Sequence, residues 1–273
     1  MTPDSEFELA ADLDVLRVYR SGAAAKIELH RPERMNAWNG AFGIALRSTV
    51  ADLGADPAVR AVLVTGAGRG LSSGADLRDR PAPGEPGHTD TYTRLTELYH
   101  PIITGIRRMP KPVVAAVHGP AAGIGCSLAL CCDLIIAAES AYFLLAFVNI
   151  GLIPDGGSTA LVPSRIGLAR AAELAMLGER LPAPAALDWG LINRVVPDEE
   201  LIPRAHELTL RLAAGPTRSY AGAKRALNAW VYGRLDEQLE LEAQLQQEMS
   251  GSADFAEGVA AFGQKRPPRF TGS

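Results

Sequence analysis

Asp155 is the only carboxylate in the stretch VNIGLIPDGGSTAL, residues 148–161, where it follows a largely apolar run and stands between a proline and two glycines. Two kinds of chemistry suit an aspartate there. It can be a turn residue, bonding nearby amides while glycine supplies the positive φ, or it can cap the helix that follows. It can also be an acid/base whose proton affinity is set by apolar surroundings. The segment alone leaves both readings open.

Other residue patterns offer chemistry and lose it on inspection. TGAGRG follows a β-rich run as a dinucleotide loop would, but its glycines fall at 66, 68 and 70, and the residues after it cannot open a phosphate-binding helix. GLSSG, residues 70–74, has the Gly-x-Ser-x-Gly form of a hydrolase elbow, yet no helix follows Ser72. Asp155 and His206 match the downstream order of a triad, an order that any chain of this length supplies by chance. His30, His88, His100 and His118 form no spaced ligand set, so no metal is expected, and His118 reads as structural. Cys126, Cys131 and Cys132 share one apolar segment with neither zinc spacing nor an even count, which suits buried thiols in a reduced cytoplasmic protein.

These residues have to be positioned by an ordinary globular chain. Its 273 residues can bury a sizeable core, and the net charge of −4 argues against a nucleic-acid partner. The acidic start MTPDSEFELAADLD lacks signal-peptide order, and no apolar run approaches the roughly 20 residues of a membrane span. DVLRVYRSGAAAKIELHRP reads as two strands joined by a Ser-Gly turn, WNGAFGIALRSTVADLGAD as a helix, and AVRAVLVTGAG as a buried strand. The Pro/Gly-rich stretch from Asp79 to Thr91 is a loop. The middle repeats the scheme, with KPVVAAVHG, LIIAAES and AYFLLAF as strands and AGIGCSLALCCD as a helix. LARAAELAMLG, LPAPAALDWG and DEELIPRAHELTLRLAAG read as helices, with the short strand LINRVV between the last two. From Thr217 onward the pattern is helical, and LDEQLELEAQLQQEM carries Leu235, Leu239, Leu245 and Met249 near one face, packed on its own core or on a partner subunit. The class is α/β in strand-strand-helix units, with residues 14–200 as the core and 201–273 as a helical C-terminal part.

Four segments in this order, LHRPERMNAWN, VLVTGAGRGLSSGADL, VAAVHGPAAGIGCSLALCCDLIIAAESAYF and SADFAEGVAAFGQKRPPRF, resemble the crotonase (enoyl-CoA hydratase/isomerase) superfamily. The resemblance implies a crotonase-like spiral of strand-strand-helix units, a helical C-terminal trimerisation part, homotrimers or hexamers, and acyl-CoA thioester substrates with no cofactor beyond the coenzyme A they carry. It implies an oxyanion hole made of the backbone N–H groups of Ala75 and Ile124, aimed at the thioester carbonyl. For coenzyme A it points to the turn at Met35, to Ser73, Asp76 and Leu77 around the adenine, and to Lys265 as a phosphate contact, with the loop 79–91 bordering the acyl pocket. Hydratases of the family hold a water between two glutamates, at positions that here are Ser127 and Phe147. Asp155 in GLIPDGG is similar instead to the 1,2-epoxyphenylacetyl-CoA isomerase branch of phenylacetate breakdown, although some of that branch carry glutamine where this chain has Ala75. The implied activity is an acyl-CoA isomerase in which Asp155 moves a proton. The alternatives are an enoyl-CoA hydratase with displaced acids and a non-catalytic acyl-CoA binder.

Overall fold

In the computed structural model, which describes residues 7–79 and 89–273, ten strands and eleven α-helices are found among the described residues. The strands are β1 (Glu8–Asp12), β2 (Leu16–Ser21), β3 (Ala24–Leu29), β4 (Ala61–Gly66), β5 (Val113–Val117), β6 (Pro120–Ala122), β7 (Leu134–Ala138), β8 (Tyr142–Leu144), β9 (Leu181–Pro182) and β10 (Arg194–Val196). The helices of the first half are α1 (Gly40–Ala55), α2 (Thr91–Arg94), α3 (His100–Arg108) and α4 (Ile124–Cys131). Those of the second half are α5 (Ser158–Leu161), α6 (Pro163–Leu177), α7 (Ala183–Asp188), α8 (Leu201–Ala214), α9 (Thr217–Val231), α10 (Leu235–Ser250) and α11 (Ala253–Gln264).

The main sheet runs β1-β2-β3-β4-β5-β7-β10, antiparallel from β1 to β3 and parallel from β3 onward. Every residue of β4 and β5 is buried, which is why AVLVTG and VVAAV read as unbroken apolar runs rather than alternating ones. Helix α8 packs on β4 and β5. A smaller layer, β6-β8-β9, is continued by isolated bridges between Ser72 and Ala121 and between Trp38 and Ala75. Each unit thus sends a main-sheet strand, then a short extended segment into the second layer, then a helix. That second layer brings Trp38, Ala75 and Ile124 toward one place although they are far apart in sequence.

The elements read from sequence are present, with particular differences. AYFLLAF is a strand only over Tyr142–Leu144, because it belongs to the short second layer and then turns away. LPAPAALDWG opens with the two-residue β9 before its helix. β1, and the nearly continuous helical run from Thr91 to Arg108, carry no assignment in the sequence reading. On α10 the buried face is Leu235, Leu239, Glu242, Ala243 and Gln246, while Leu245 is 36% exposed. The expected leucine face is therefore rotated, and two polar residues occupy its buried side. Of the loop 79–91, residues 80–88 lie outside the described residues.

One side chain ties the turns that later carry the site. Asn36 is fully buried, donates to the carbonyls of Ala67 and Gly70 at 2.9 Å each, and accepts from Arg31 N at 2.9 Å. The neighbouring Met35 carbonyl then accepts from Ser73 N. Asn36→Ala leaves three backbone groups without these partners, at about 1 kcal/mol each for a buried polar group. We expect a loss of about 3 kcal/mol, read as a lower urea midpoint; an unchanged midpoint would show that the turns hold without this amide.

Candidate active site

A cavity of about 640 Å³ opens between the second layer, α4 and the last two helices, and most of its lining is apolar. Ala75 and Ile124, Met35, Ser73, Asp76 and Leu77, and Asp155 all line it. The sequence candidates are therefore brought together with one exception. Lys265 is exposed, sits in the left-handed conformation at the end of α11 and is absent from the lining, where Arg266 stands instead. Arg266 is itself held by Glu257 at 2.8 Å, a bond that draws the Glu257 carboxyl down to about 2.

The two candidate oxyanion donors are aimed by glycine. Gly123 precedes α4 with φ +52 and provides no side-chain cap, so Ile124 N–H has no acceptor in the helix's first turn. The N–H of Ala75 stays outside the Trp38 bridge, whose bonds run from Trp38 N to Gly74 O and from Asp76 N to Trp38 O. Gly74 (φ +96) lies so close to the neighbouring segment that a Cβ there would stand 2.9 Å from Ala122 O. Two free N–H groups, one of them at a helix N-terminus, can stabilise negative charge on an oxygen placed between them.

Asp155 is 6% exposed. Its carboxylate bonds none of the amides of its own turn: the helix after it is capped by Gly157, and Ser158 N and Ser158 Oγ both donate to the Asp155 carbonyl instead. The turn-or-cap alternative is thereby excluded for the side chain. Oδ2 accepts from Gln246 Nε2 at 2.8 Å, and Oδ1 is buried without a partner. Burial, reinforced by the nearby Glu242, raises the carboxyl from 3.8 to about 8, against the lowering effect of Gln246. The turn also rests directly on α4, since a Cβ at Gly156 would come within 2.4 Å of Ile124 Cδ1.

At the positions where a hydratase would carry glutamates, Ser127 is fully buried and donates to the Asp155 carbonyl at 2.8 Å, and Phe147 walls the cavity. Asp76 is engaged by Arg31 at 3.1 Å. Ser72 donates to Asn36 O at 2.8 Å and accepts from Gly74 N, so the elbow-like GLSSG is a structural brace. His118 bonds Gly68 O, and the three cysteines are buried and free. Sequence reasoning missed Gln246 and Glu242; their signal was two polar residues four apart among the leucines of α10.

The sign of the Asp155 shift makes a stability prediction. The folded chain holds a proton on this carboxyl that the unfolded chain releases near pH 4, so stability falls as pH rises from about 4 to about 8. Asp155→Asn removes that liability. In urea unfolding at several pH values, the variant's stability relative to the parent is expected to grow across this window; a constant difference would mean that Asp155 is ionised throughout.

Residues 20–273 match the model of the family described as enoyl-CoA hydratase/isomerase. The chain is 43% identical over 246 residues to the 1,2-epoxyphenylacetyl-CoA isomerase of Escherichia coli (strain K12), covering 90% of this chain and 94% of that one. It is 44% identical over 257 residues to a Rhodobacter capsulatus protein named "Probable enoyl-CoA hydratase", covering 94% and 98%. The crystal structure of an enoyl-CoA hydratase from Mycobacterium avium subsp. paratuberculosis K-10 superposes with a TM-score of 0.87 at 38% identity, covering 95% of this chain and all (100%) of that one. Matched along nearly its whole length in both sequence and fold, this chain belongs to the enoyl-CoA hydratase/isomerase family.

Proposed function

We propose that the protein is an acyl-CoA isomerase in which Asp155 carries a proton between two carbons of the acyl chain. The observation that carries this reading is a buried carboxyl with one oxygen free of partners, that of Asp155, in the cavity that also holds the N–H groups of Ala75 and Ile124. The other acidic residues of the lining, Glu33 and Asp76, belong to the segments around Met35 and Ser73. Hydration requires a held and activated water. Ser127 and Phe147 supply neither a second acid nor room for one, which favours isomerisation over the hydratase reading.

In the proposed mechanism the thioester oxygen lies between Ala75 N–H and Ile124 N–H. Asp155 takes a proton from the α-carbon, and the electron pair moves onto that oxygen as an enolate. Collapse of the enolate re-forms the carbonyl while Asp155 returns the proton at the γ-carbon, bringing a 3,4 double bond to the 2,3 position. With the ring epoxide of a phenylacetyl thioester, the same donors and the same proton carrier would assist ring opening. Leu144, Phe147, Ile150 and Leu152 line the cavity beside Asp155 and keep the base poorly hydrated. Coenzyme A would lie along Met35, Ser73, Asp76 and Leu77, with no further cofactor. We extend the proposal to a homotrimer or hexamer, supported by large apolar side chains left uncovered in the single chain, among them Trp230 at 89% exposure and Leu168 at 79%.

The test is a 3-enoyl-CoA in deuterated water followed by NMR, with Asp155→Asn beside the parent. The parent should move the double bond with deuterium entering the chain, and the folded variant should be slower by roughly 10²–10⁴-fold, the usual worth of a positioned acid/base. Equal exchange in both proteins would remove Asp155 from the chemistry. Tight binding without turnover on either this substrate or the ring epoxide would favour the non-catalytic binder.

A further inference from the structure

Glu242 and Gln246 are each 1% exposed on the side of α10 that otherwise buries Leu235, Leu239 and Ala243. A carboxylate in that setting is costly unless donors surround it. Glu242 has three: Gly157 N at 2.7 Å, Thr159 N at 3.0 Å and the Thr159 hydroxyl, which in turn accepts from Gln238 at 2.8 Å. All three lie on the turn and short helix immediately after Asp155. Asp155 has one donor, Gln246, and one orphaned oxygen. Burial raises both carboxyls, that of Glu242 to about 7 against its three donors and that of Asp155 to about 8, so Glu242 ionises first and Asp155 keeps its proton longer.

We propose that Glu242 and Gln246 are positioning residues that set the basicity of Asp155 from opposite sides. The Glu242 carboxylate clamps the backbone of Gly157 and Thr159 and opposes ionisation of Asp155, while the Gln246 amide holds Oδ2 and favours it. The inference rests on Asp155 being the proton carrier. Of the other titratable groups on the elements packed here, Glu240 of α10 accepts from Tyr92 of α2, and His100 of α3 is kept neutral by burial with its Nε2 unpartnered. Glu257 of α11 holds Arg266, and Asp254 takes the amides of Thr271 and Gly272. Arg94 of α2 lines the same cavity and bonds Thr89 O, and α4 meets the Asp155 turn with the Ser127 hydroxyl and the apolar side chain of Ile124.

The experiment follows the Asp155 carboxyl directly, by NMR of protein labelled with ¹³Cγ-aspartate, the resonance being identified by its loss in Asp155→Asn. Glu242→Gln should lower the titration midpoint by about one pH unit or more, and Gln246→Met, which keeps the volume and removes the donor, should raise it. The pH dependence of double-bond migration should move with each midpoint. Midpoints that stay put, or that both move the same way, overturn the proposal; a merely structural role predicts lost stability without opposed shifts. Should Glu242→Gln fail to fold, Gln246→Met decides alone, and a midpoint that does not rise refutes the inference. Opposed shifts without any double-bond migration would sink the isomerase reading and leave the positioning roles standing.

Discussion

The structure turns on a close crossing of two chain segments, with glycine set against glycine. For the N–H groups of Ala75 and Ile124 to open into one cavity, the backbones that bear them must approach with no side chain between. A Cβ on Gly74 would stand 2.9 Å from Ala122 O, and one on Gly125 would collide with Ser72 at 2.7 Å. Gly74 and Gly123 both adopt positive φ, a conformation that costs other residues. The bridges of Trp38 with Ala75 and of Ser72 with Ala121 then lock this crossing into the second layer. Asn36 fastens the turn before it, and the Asp155 turn lies against α4 through Gly156.

A change of two side chains alters what such a frame can do. Serine at 127 becomes a brace for the Asp155 carbonyl, and phenylalanine at 147 becomes wall. Asp155 stands beside them with its carboxyl buried among apolar residues. Low polarity makes that carboxyl hold its proton more tightly and, once ionised, makes it a stronger base.

Much of this was legible in the sequence because it is local. Unbroken apolar runs announced β4 and β5, a Ser-Gly pair announced the β2–β3 turn, and the oxyanion motifs placed Ala75 and Ile124 through resemblance to a family. Asp155 stood out, yet its role could not be told from turn chemistry, since the side chain's partner lies on another helix. The rotated face of α10 was hidden for a related reason: leucines at 235, 239 and 245 suggest one stripe, whereas Glu242 and Gln246 are buried by what they bond. Lys265 was named through the resemblance as a phosphate contact; it stands exposed in the left-handed turn that ends the helix, and Arg266 lines the cavity. β6, three residues long, has too little periodicity to be seen before its partner strand is known.

The bond between Gln246 and Asp155 spans 91 residues of sequence. The segments that carry the two candidate oxyanion donors are complete long before α10 is synthesised, and domains generally fold from their N-terminal side as they emerge. A growing chain can therefore assemble the pocket wall that bears Ala75 and Ile124 while the Asp155 carboxyl still lacks its Gln246 partner. Closing so distant a contact is intrinsically late and slow. The pocket is in this sense completed only when its last helices dock.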